Sequence, residues 1–164
     1  LVYGRRRTFG LKGGSADSAP IGTPAICADL ARRLTADPRG RGVATDPEPP
    51  AGVMAVSGVI SAAGEKLRGG MGSCAGLDAL VSSSTGPMHL CVALGVPTLT
   101  LMCPIPSCAP SLWGPRGNGG RVAMPTEAYC AERCPGNPHH CTYAGDGLPK
   151  AQVEAALVDI LALA

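Results

Sequence analysis

The stretch "LVSSSTGPMHLCVALGVPTLTLMC", residues 80–103, restricts what this chain can fold into more than any other. Leu80-Val81-Ser82 reads as a buried strand and "PTLTLMC" (97–103) as a second one. Between them a short helix over 87–94 is marked at both ends. Thr85 and Gly86 suit the N-cap region, Pro87 fits the first helical turn, and Gly95 supplies a left-handed cap after Leu94. Two strands joined through one helix argue for parallel pairing, because parallel strands need a crossover.

The same alternation runs along the chain. Thr23-Pro24 reads as an N-cap with proline at the first helical position, and Ile26, Leu30, Ala31 and Leu34 follow at helical spacing until Pro38. "RGVATDPEPPAG" reads as a short strand ending in an acidic, proline-rich loop, "GVMAVSGVISAAG" as a strand and turn, and 73–80 as a short helix. "PKAQVEAALVDILALA" closes the chain as an amphipathic helix with Val153, Leu157, Ile160 and Leu161 on one face. The expected fold is α/β: a Rossmann-like parallel sheet with helices on both faces, in a single domain over 1–164.

Apolar residues make up 45% of the 164, but aromatics only 3%, so the core must be built from Ala, Val, Leu and Met. The 23 glycines and 16 prolines cluster before residue 70 and in 104–149, which places order between these regions and at the C-terminus. Residues 104–149 read as loop-rich, and 1–9 as a disordered start, with Arg5-Arg6-Arg7 as a solvated tail. A formal charge of +2 is too small to suggest nucleic acid. No apolar run approaches the roughly 20 residues that span a bilayer. No signal peptide is read, and a chain that does not begin with Met suits a fragment. Cys27, Cys91 and Cys103 lie in apolar segments and read as small buried hydrophobes, which favours a reducing, cytoplasmic setting.

The marked helix follows a buried strand, so its free N–H groups face the carboxyl edge of the sheet, where ligands bind in open α/β folds. Free amides and the positive end of the helix dipole suit a phosphate group. Ser82, Ser83, Ser84 and Thr85 add hydroxyls, Gly86 permits close approach, and His89 stands one turn in, able to donate to a phosphate or leaving-group oxygen. A capped core helix with a buried, internally satisfied His89 fits the same residues. The pattern alone leaves both readings open.

Residues 80–118 resemble the signature of glycosyltransferase family 9, the ADP-heptose:lipopolysaccharide heptosyltransferases. That signature runs Asp or Ser, then Thr-Gly-x-x-His, Leu or Ile, x-x-Ala-x-Gly-x-Pro, and Thr85, Gly86, His89, Ala93, Gly95 and Pro97 match it in order. The flanks are similar more weakly: "GGSADSAPIGTPAICADLARRL" to a small-residue loop and helix, "GVATDPEPPAG" to a strand ending in an acidic residue, "CAERCPGNPHHC" to a Cys-containing loop. The resemblance implies the C-terminal, donor-binding half of a GT-B enzyme, with the N-terminal acceptor half and its general base outside these residues. Ser84, Thr85, Gly86, Pro87, Met88, Ser15 and Glu48 would hold the nucleotide-diphosphate sugar, Glu48 at the ribose or base, and His89 would support the departing charge.

The implied chemistry is inverting hexosyl or heptosyl transfer to a glycan or lipid-linked acceptor such as lipopolysaccharide, in the cytoplasm or peripherally at the inner membrane. It implies no cofactor and no metal. The alternative is a non-catalytic nucleotide-binding or zinc-stabilised remnant. The chain departs from the family at Ser84, where many members have Asp, and at Cys103, usually a small residue. It also departs in the first loop, where Ala19 replaces a phosphate-binding Lys and Lys12 is too far off to substitute. Cys130, Cys134 and Cys141 with His139 and His140 lack the spacing of a usual zinc site; free thiols or a disulfide are expected, with structural zinc as the alternative.

Overall fold

The computed structural model describes residues 6–13, 23–117, 120–134, 136–137, 141, 143 and 147–161. Six parallel strands form one sheet: β1 (Arg7–Lys12), β2 (Gly40–Ala44), β3 (Val59–Ser61), β4 (Ala79–Ser83), β5 (Thr98–Leu101) and β6 (Arg121–Ala123). Their spatial order is β3-β2-β1-β4-β5-β6. The order therefore reverses between β1 and β4, the topological switch point of a doubly wound fold.

Helices cover both faces. On one side, α1 (Thr23–Leu34), α2 (Ala51–Met54) and α7 (Lys150–Leu161) pack on Phe9, Leu11, Ala79, Val81, Leu99 and Leu101. On the other, α3 (Leu67–Ala75) and α4 (Gly86–Ala93) pack on Val43 and Leu80 through Cys74, Met88 and Cys91. The alternation of strand side chains separates the two cores. Surface ion pairs Lys150–Asp29 and Arg33–Glu154 run between α1 and α7; exposed pairs of this kind contribute little, so apolar burial holds that layer. Two small helices, α5 (Pro110–Trp113) and α6 (Glu127–Arg133), and a 3-10 turn at Pro106–Cys108 lie within the loop-rich 104–149 region.

Three local expectations change. The sheet begins at Arg7, whose N–H donates to the Arg39 carbonyl at 3.0 Å, and Phe9 is 3% exposed. Residues 7–9 are therefore structural, because a strand's first residues sit on the amino edge where a charged side chain stays wet. The 51–61 segment is a short helix followed by β3 rather than a strand and turn. The following helix, α3, starts at Leu67 and not at residue 73. Its Gly69, Gly70 and Gly72 hide the helix from propensity, and the packing of Cys74 on the sheet overrides them.

Candidate functional site

β4 ends at Ser83, and Thr85, in extended conformation (φ −148°, ψ 167°), is the N-cap of α4. Its carbonyl accepts from the Met88 and His89 amides at 3.1 and 3.3 Å. Its hydroxyl makes no capping bond and lies 3.4 Å from the Ser83 carbonyl, to which it donates. The Gly86 N–H has no acceptor among the described residues. Gly86 is exposed, and a Cβ built on it would meet nothing within 4 Å. A donor at the positive end of a helix, beside open space, is a place for an anion. Gly95 (φ 77°) closes the helix after Leu94, as the sequence implies.

The structure distributes the sequence-derived candidates unevenly. Ser84, Thr85, Gly86 and Pro87 gather at the helix start, Ser84 and Thr85 half-buried. Met88 is fully buried in the α3–α4 core, so its side chain anchors the helix, and its amide is already used. His89 is exposed, not buried, and its imidazole makes no hydrogen bond among the described residues. The reading of an internally satisfied core histidine does not hold. Ser82 and Ser83 are 0% exposed and their hydroxyls find no partner among the described residues. Glu48 is exposed in the loop after β2, on the same carboxyl edge. Ser15 lies outside the described residues.

Sequence reasoning missed a buried ion pair beside this helix start. Lys12, set aside as too distant, ends β1 in register with Ser82 of β4, at the switch point. It is 6% exposed and pairs with Asp46, 2% exposed, whose second oxygen accepts the Gly13 N–H at 3.0 Å. Cys27 of α1 lies near the pair: burial first, then the Asp46 charge, pushes its thiol up to about 12, against a smaller opposing effect of Lys12. The thiol is therefore neutral and unreactive, as expected of a small buried hydrophobe. No spacing rule joins residues 34 apart; the parallel pairing of β1 with β2 does.

The segment after β5 forms a wall beside the site. The Ser84 hydroxyl donates to the Trp113 carbonyl at 3.3 Å, and the Trp113 ring N–H donates to the Ser107 carbonyl at 3.0 Å. Farther along, all eight cysteines are free. Cys103, Cys141, Cys130 and Cys108 lie close enough to the buried Tyr143 hydroxyl to add to the burial that pushes it upward. Among the described residues no group of Cys, His, Asp or Glu is placed to hold a metal ion; His139 and His140 lie outside them. No described helix is long and apolar enough to cross a membrane.

No family model and no curated protein matches the chain. Solved structures do. It is similar to E. coli ADP-heptose lps heptosyltransferase II at 21% identity and TM-score 0.76, covering 96% of this chain and 47% of that one. It has the fold of half a heptosyltransferase. The glycosyl transferase family 9 structure from Veillonella parvula gives 20% identity and TM-score 0.72, over 96% of this chain and 46% of that one. E. coli heptosyltransferase WaaC with ADP gives 20% and 0.60, over the full chain and 46% of its own. The chain thus spans about half the length of these heptosyltransferase-like structures, and the shared part is a Rossmann-like unit of the GT-B type.

Proposed function

We propose that this chain is the donor-binding, C-terminal half of a family 9-type glycosyltransferase, and that the diphosphate of a nucleotide sugar sits at the start of α4. The observation that carries the reading is the Gly86 amide, which has no acceptor among the described residues and belongs to an exposed residue after β4, beside the β1–β4 switch point. Likeness to structures described with ADP and with ADP-2-deoxy-2-fluoro heptose supports the choice of ligand.

In the proposed reaction an acceptor hydroxyl attacks the anomeric carbon and the nucleoside diphosphate departs with its bonding pair. The Gly86 amide and the α4 dipole offset the charge that builds on the leaving oxygen; a donor so placed is worth about 3–4 kcal/mol in a transition state. His89, exposed one turn from the helix start, donates to the same phosphate. Glu48 reads the nucleoside from the β2 side. The general base and the acceptor site belong to a second half outside these residues. Amides and hydroxyls at the α4 start suit an anion directly, so we propose a reaction that needs no divalent cation, and a cytoplasmic or inner-membrane-face setting for it.

Gly86→Val tests the site. Because a Cβ there touches nothing, the melting temperature is expected to stay within about 2 °C of wild type. Affinity for ADP or UDP, measured by calorimetry, is expected to fall about tenfold or more as the methyls fill the anion's place. His89→Ala is expected to weaken the same nucleotide several-fold. If neither nucleotide binds the wild-type protein at about millimolar concentration, the phosphate site is lost as an explanation.

A further inference from the structure

We infer that Trp113 is the platform on which the donor's glycosyl group rests, an inference that stands on the donor-binding reading above. Trp113 is the chain's sole tryptophan, and it is 53% exposed, beside Leu112 at 61%. Together the two adjoining side chains leave an apolar surface on the segment that is bonded to Ser84.

Its placement is fixed from three sides. The ring N–H is tied to Ser107, and the backbone carbonyl is tied to the hydroxyl of Ser84, the residue just before the α4 cap. The next residue, Gly114, donates its N–H to the Pro110 carbonyl at 2.9 Å and has no room for a side chain, because a Cβ would lie 2.6 Å from that same oxygen. A rigid, half-open indole loses little entropy when a ligand covers it.

The strand order says which part of the ligand reaches it. Along the carboxyl edge, Glu48 follows β2, the α4 start follows β4, and Trp113 follows β5. A diphosphate at Gly86 therefore has Glu48 toward one end of the sheet and Trp113 toward the other. With the nucleoside on the β2 side, the group beyond the second phosphate extends toward β5. In a sugar nucleotide that group is the glycosyl ring, whose C–H faces suit an indole while its hydroxyls stay wet.

A single tryptophan makes the test direct. The protein is titrated with ADP, UDP, ADP-heptose, ADP-glucose and UDP-glucose, following tryptophan emission and heat in parallel. At least one sugar nucleotide is expected to quench or shift the emission, while its parent diphosphate binds without doing so. Trp113→Ala is expected to reduce the affinity for that sugar nucleotide about tenfold, to the level of the diphosphate, and to leave the diphosphate's affinity unchanged. Trp113→Phe is expected to retain part of the difference. The platform is overturned, with the phosphate site intact, by an equal response to diphosphate and sugar nucleotide. Binding of sugar nucleotides without any change in emission, or no tighter than their diphosphates, overturns it equally. If no nucleotide releases heat, the donor-binding reading fails and the platform falls with it.

Discussion

Asp46→Ala is expected to cost about 3–5 kcal/mol of stability, the range seen when one partner of a buried ion pair is removed. The carboxylate sits at 2% exposure against the Lys12 ammonium at the end of β1, and it also receives the Gly13 amide. Alanine strips a desolvated cation of a charge partner and leaves a buried N–H without its acceptor. For a domain whose total stability is about 5–15 kcal/mol, that loss approaches unfolding. The double variant Lys12→Met/Asp46→Leu removes both charges and is expected to recover most of the loss, since apolar replacements of whole buried pairs are often neutral or better. Urea denaturation of the single and double variants measures this. A single-variant loss under about 1 kcal/mol would mean that the pair is solvated and not buried.

Gly40→Ala is expected to cost about 3 kcal/mol or more, the upper end of what overpacking does. Gly40 opens β2 just after the turn from α1, and its N–H donates to the Asp37 carbonyl at 2.8 Å. A Cβ there would lie 1.8 Å from the Leu34 carbonyl oxygen and 2.9 Å from its carbon. Both are backbone atoms, so no rotamer relieves the clash. The turn must open, pulling Gly40 from its register with Arg7. Gly70→Ala is the contrasting case: inside α3, with nothing within 4 Å of the added Cβ, it is expected to gain about 0.5–1 kcal/mol from helix propensity alone. Equal denaturation midpoints for the two variants would contradict this account.

How much the sequence disclosed follows the range of the forces involved. α4 was legible because Thr85, Pro87 and Gly95 mark its ends within the helix itself. α7 was legible because Val153, Leu157 and Ile160 repeat at the spacing of one buried face. Both signals are local. α3 was misplaced because three glycines erase its propensity and only its contact with the sheet makes it a helix. Arg7 read as tail because charge signals solvent, whereas strand pairing uses the backbone and ignores the side chain. At the site, the helix start was visible. The partnership of Lys12 with Asp46, the exposure of His89 and the bond from Ser84 to Trp113 were not. Each depends on segments that meet only after the sheet has assembled.

The switch point also decides when in folding the site can exist. Its two walls, β1 and β4, pair Phe9 with Ala79 and Lys12 with Ser82, across a loop that contains two complete βα units. Such a pairing bears the loop-closure cost before any contact rewards it, so it belongs to the slow, late part of assembly. Asp78, whose carboxylate accepts the Thr8 amide at 2.7 Å, marks the closure. In pulsed hydrogen exchange during refolding, the Thr8 amide is expected to gain protection after the amides inside α1, and nucleotide binding to appear only with it. Early protection of Thr8 would reverse that order. On this account the proposed anion site is not a local motif that the chain carries from the start, but is expected to be a late product of its own topology.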